Sequence, residues 1–175
     1  MDLRDRILDE TRRLTLQHGV IPSLNAVAEA TRVSKGGLMH HFPTRAALVE
    51  GLARRALDEV DRAMVAAAAE GRAAATWLAL SVPSGDDLDL FRAMAIAHRA
   101  LEQPGARVLA AASEAVARWE RLIADEVGDP VRARVIRLVG DGLAGNALAG
   151  LDEPAARGEG LRALLEHLGV ADRQP

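Results

Sequence analysis

The sequence predicts an all-α fold of about nine helices, and three observations carry that expectation. Apolar residues recur at helical spacing along almost the whole chain. No stretch alternates apolar and polar residues with the Val, Ile, Thr and aromatic enrichment of a strand. Proline, glycine and small capping residues punctuate the pattern where helices should start and stop.

The first helix is expected over 2–18, with Leu3, Ile7 and Leu14 on one stripe and Gly19 as a left-handed end. Ser23 should cap a short second helix through Ala30. Thr31-Arg32-Val33 then makes a turn, and Ser34 caps a third helix ending near Phe42. Pro43 stops that helix, because the residue before a proline is pushed out of helical geometry. Thr44 caps a long fourth helix to about Glu70, and Gly71 breaks it. A fifth helix spans 73–80, and residues 81–85 form a loop. The sixth begins at Asp86 or Asp87, whose charges suit the positive end of a helix, and reaches Glu102. Pro104 opens the seventh, which runs to Val127. Asp129-Pro130 starts the eighth, to Gly150. Asp152-Glu153-Pro154 starts the ninth, to Leu168, and 171–175 fray.

With 49% apolar residues the chain has a core, and with aromatics at 2% that core is aliphatic apart from Phe42, Trp77, Phe91 and Trp119. The absence of cysteine excludes disulfides and thiolate metal sites. No apolar run is long enough for a membrane-spanning helix, and the opening residues alternate charge unlike a signal peptide. A cytoplasmic protein is expected. The net charge of −3 is unevenly spread: residues 1–55 carry 9 Lys and Arg against 6 Asp and Glu, and the remainder is acidic. A mildly basic head on an acidic body fits a DNA-binding head joined to a body with another task.

The segment 33–45 sharpens this. Two short helices joined by a tight turn place the second across the first, so that its amino-terminal residues can enter the major groove. Val27, Ala28, Leu38 and Phe42 should anchor the pair inward. Lys35, Gly36, Gly37, Met39, His40 and His41 are left for solvent or DNA. Lys35 offers a charge to a phosphate or a guanine edge. Gly36 and Gly37 weaken a helix but let its backbone approach closely. Ser23, Ser34, Thr44 and Arg45 are placed for phosphates, the three hydroxyls also serving as caps. Adjacent His40 and His41 point about 100° apart on a helix and make a poor metal pair, so no metal or cofactor is expected.

These residues resemble the helix-turn-helix domain of the tetracycline-repressor-like (TetR) family. The likeness runs from Ile7 to Leu48 through Gly19, Ser23, Val27-Ala28, the run Val33–Phe42, Arg45 and Leu48. Met39 stands where that family usually has tyrosine, Arg32 where the turn often has glycine, and Arg45 where it has lysine. The resemblance implies a DNA-binding domain over 1–48, a ligand-binding and dimerisation domain over 49–175, and a homodimer reading a palindromic operator.

In the body, Phe91, Met94 and His98 share a stripe of the sixth helix. With Trp77 and Trp119 they are expected to line an apolar pocket for a small-molecule inducer, His98 as its polar anchor. Val135, Leu138, Val139, Gly142 and Asn146, with Leu161, Leu164, Leu165 and Leu168, are expected to form a four-helix dimer interface. The expected function is a ligand-responsive transcriptional repressor, released when ligand misplaces heads that otherwise sit about 34–36 Å apart. The long fourth helix would be the lever. A helical interaction module without sequence-specific DNA binding is the alternative. Enzymatic chemistry is not expected: Asp86-Asp87 and Asp152-Glu153 sit at helix starts, and no catalytic constellation accompanies them.

Overall fold

A computed structural model describes residues 2–83, 85–99, 106–151 and 158–170. Among these run nine α-helices and no strand: Leu3–His18 (α1), Leu24–Thr31 (α2), Lys35–His41 (α3), Arg45–Ala69 (α4), Ala73–Leu80 (α5), Gly85–Arg99 (α6), Ala106–Val127 (α7), Pro130–Ala149 (α8) and Gly158–His167 (α9). The expected end of the sixth helix at Glu102, the start of the seventh at Pro104 and the start of the ninth at 152–154 lie outside the described residues, as does the tail 171–175.

The punctuation works as its chemistry dictates. Gly19 adopts φ +71° and donates its N–H to the Thr15 carbonyl, closing α1. Ser23 Oγ accepts from the Ala26 N–H at 3.2 Å. Asp129 accepts from the N–H groups of Val131 and Arg132, with Pro130 in the first turn, where its missing donor costs nothing.

The described residues divide into two compact units, 1–56 with 84–111, and 57–83 with 112–175. The first has a core of Ile7, Leu8, Val27, Leu38, Phe42, Leu48 and Leu52. Thr11 and Thr15 are also buried on α1. Their hydroxyls donate to the carbonyls of Ile7 and Thr11, so neither brings an unmet polar group into the core. The expected boundary at residue 48 falls inside this unit, and α6 belongs to it as well. Met94 packs against its core, and Asp87 pairs with Arg12 of α1 at 2.8 Å.

The second unit is built on Met64, Trp77, Leu78, Trp119, Ile123, Ile136 and Leu143. The two indoles lie tilted with centroids 5.6 Å apart. Trp77 Nε1 donates to the Arg137 carbonyl at 3.2 Å and Trp119 Nε1 to Asp61 at 2.9 Å, so both buried N–H groups are satisfied. Helix α5 packs along α8, and the contact is close at Gly140. A Cβ there would stand 2.2 Å from Trp77 Nε1 and 2.5 Å from Ser81 Oγ.

Candidate nucleic-acid interface

Helices α2 and α3 are joined by Arg32, Val33 and Ser34. Arg32 takes the left-handed conformation, φ 55° and ψ 36°, alone among non-glycine residues described. A side chain there costs about 1–2 kcal/mol, the penalty that glycine at this position avoids. The turn closes with the Val33 N–H on the Ala28 carbonyl at 3.0 Å.

Ser34 then begins α3, its Oγ accepting from the Gly37 N–H at 3.1 Å. Leu38 and Phe42 are buried, as their spacing required. Phe42 is held close: a Cβ on Gly51 of α4 would stand 2.6 Å from its ring. Gly51 carries no sequence signal beyond being a glycine inside a long helix. Lys35, Gly36, Met39 and His40 face outward, and Gly37 and His41 are half-buried. Lys35 has no hydrogen bond or ion pair among the described residues, so its charge is available to a partner.

The two glycines differ. A Cβ on Gly36 meets nothing within 4 Å, whereas one on Gly37 would lie 3.1 Å from Val33 Cγ1 and 3.2 Å from Ser34 Oγ. Gly36 leaves the helix surface bare, and Gly37 gives room to its own cap. Thr44 Oγ1 accepts from the Ala47 N–H at 3.0 Å and starts α4. Arg45 donates through Nη2 to the Ile21 carbonyl at 2.7 Å, which ties part of its guanidinium to the α1–α2 link. His40 and His41 meet edge-on with ring centroids 5.5 Å apart.

The expected pocket residues fall in both units. Trp77 and Trp119 are in the core of the second, and half-buried Phe91 and Met94 are in the first. The side chain of His98 lies outside the described residues. An open cleft of about 620 Å³ that no sequence motif marks lies between α7 and α8, lined in part by Val116, Ala117, Glu120, Arg121, Arg134 and Arg137.

The expected interface residues also separate. Val135, Leu138 and Gly142 are exposed on α8. With Val131, Gly145 and Ala149 they form an exposed stripe at alternating spacings of four and three. Val139 is half-buried on the body core, Asn146 is half-buried, and Leu161, Leu164, Leu165 and Leu168 pack against that same core.

Comparison with known proteins matches residues 7–52 to a family model described as bacterial regulatory proteins, tetR family, and 62–169 to one described as tetracyclin repressor-like, C-terminal domain. Among solved structures, a TetR-family member from Streptomyces coelicolor A3 aligns with a TM-score of 0.63 at 24% identity, covering 95% of this chain and 98% of that one, and so shares its fold. No curated protein matches. The chain belongs to the tetracycline-repressor-like family of DNA-binding transcriptional regulators.

Proposed function

We propose that the protein is a ligand-responsive repressor that binds a palindromic operator as a homodimer and is released by a small-molecule inducer. The observation that carries the DNA reading is the outer face of α3. An unpaired Lys35 and a bare Gly36 stand in the first turn of a helix whose other face is fixed by Leu38 and Phe42. Ser23, Ser34, Gly37, Met39, His40, His41, Thr44 and Arg45 complete the contact surface. Lys35→Ala is expected to weaken operator binding at every salt concentration and to lower the salt slope by about 0.9 per copy, with thermal stability unchanged. Unchanged affinity for a duplex selected by the wild-type protein would remove Lys35 from the interface.

Homodimerisation is supported by the exposed α8 stripe. Leu138 is 53% exposed and Val135 46%, and Gly142 and Gly145 would let a second helix approach closely. Leu161, Leu164, Leu165 and Leu168 would then brace α9 from within each subunit, while Val139 and Asn146 flank the stripe. Leu138→Arg should turn a dimer into a monomer at micromolar concentration by sedimentation equilibrium. A variant that sediments like the wild type would place the interface elsewhere.

For the inducer, Trp77, Phe91, Met94, His98 and Trp119 remain the side chains to vary. Gly140 backs directly onto Trp77, so a ligand lying between α5 and α8 has to part them. Helix α4 contributes residues to both units and is the covalent route by which a response in the body would reach the head.

A further inference from the structure

We propose that Arg4 is a phosphate-contacting residue of the DNA interface, seated beside the end of α3 by Phe42. This rests on the reading of the head as DNA-binding and adds a contact from α1, which the motif residues do not include.

Arg4 lies in the first turn of α1, half-buried, with its guanidinium carbon 5.4 Å from the centroid of the Phe42 ring. That ring is itself fixed. It is 2% exposed, and Gly51 and Leu8 close on the space beside it. The cation is therefore held over a rigid platform by a cation–π contact. That contact takes up none of its N–H hydrogen bonds, which stay available to a planar or tetrahedral anion.

The other arginines of the head mostly have partners. Arg6 donates to the Thr31 carbonyl, Arg12 to Asp87, Arg13 to Glu10 and Arg45 to the Ile21 carbonyl. Arg4 has no hydrogen bond or ion pair among the described residues, although Asp2 and Asp5 are its near neighbours in sequence. Asp5 is exposed and supplies its backbone carbonyl to Arg55. The partly exposed guanidinium therefore keeps its N–H donors open to an acceptor from outside the chain. Phe42 directly follows His40 and His41 and precedes Thr44, the cap of α4. The acceptor that fits there is a phosphate of the duplex that α3 would read, a contact that carries no sequence information.

The test uses the full chain and a duplex that the wild-type protein selects from random-sequence DNA. Affinity is measured by fluorescence anisotropy across a salt series for wild type, Arg4→Gln, Arg4→Lys and Lys35→Ala, with melting temperatures in parallel. Arg4→Gln is expected to lower the salt slope by about 0.9 per bound copy. The wild-type advantage over the variant then shrinks about 3.5-fold per copy between 50 and 200 mM salt, while the ranking of mutated operators stays the same. Arg4→Lys should recover most of the slope. If Arg4→Gln keeps the wild-type slope while Lys35→Ala lowers it, the Arg4 assignment is overturned and the DNA reading stands. A lower melting temperature with an unchanged slope assigns Arg4 to packing alone and also overturns it. If the wild-type protein selects no duplex, both readings fall.

Discussion

Gly36 on α3 and Gly140 on α8 are the same residue put to opposite uses. Around Gly36 there is nothing within 4 Å of where a Cβ would stand; at Gly140 that position is already occupied by the Trp77 indole and the Ser81 hydroxyl. Both glycines give up helix propensity, by about 1 kcal/mol relative to alanine for Gly140 in the interior of α8 and by less for Gly36 in the first turn of α3. In the body that loss is offset inside the chain, because α5 and α8 close on each other. At Gly36 no described residue offsets it. A helix left bare at its own expense points to a partner outside the molecule.

The contrast can be broken most forcefully at Gly140. Gly140→Ala should destabilise the protein by about 1–3 kcal/mol, through displacement of Trp77 and overpacking of the α5–α8 contact. Denaturant titration followed by tryptophan emission measures it. A variant as stable as the wild type would mean that the helices part freely and the contact is not tight. The opposite sign is expected at Gly36. Gly36→Ala should raise stability by up to about 1 kcal/mol while weakening operator binding, a trade visible by comparing melting with anisotropy. If affinity stays as it was, the bare surface has no role in recognition.

The smallest effect sharpens the comparison at the α7–α8 junction. The carboxyl of Glu120 is held below its ordinary value of 4.5 by a hydrogen bond from Arg137 and then by one from Arg134. A carboxylate lowered in the folded state stabilises the protein above its unfolded pKa, and that contribution disappears as pH falls through the folded one. Glu120→Gln should therefore cost roughly 0.2–1 kcal/mol near neutral pH, and the gap from wild type should close below about pH 4.5. A gap that is constant with pH would show that the carboxylate charge is not what the arginines use.

Much of this was legible in the sequence because helix ends are local chemistry. Gly19, Ser23, Ser34, Thr44 and Asp129 announce their roles to neighbours within four residues, and the structure uses each as expected. The anchors Leu38 and Phe42 were legible from spacing alone. The outer and inner sides of α8 were less so, because one position of rotation separates exposed Leu138 from half-buried Val139, and small residues occur on both faces. Thr11 and Thr15 were missed as core residues because their polarity hides that a helix carbonyl can satisfy the hydroxyl. Arg4 and Gly51 were missed for a different reason. Each matters through Phe42, and no spacing rule connects positions so far apart in the chain.

Helix α6 packs with α1, so one compact unit takes in two separated stretches of chain. Modularity along the sequence is therefore not modularity in space. A head excised at residue 48, or grafted onto another body at that point, loses the Asp87 partner of Arg12 and the Met94 cover of its core. Exchanging the outward residues of α3 leaves these contacts in place, where a cut at residue 48 removes them.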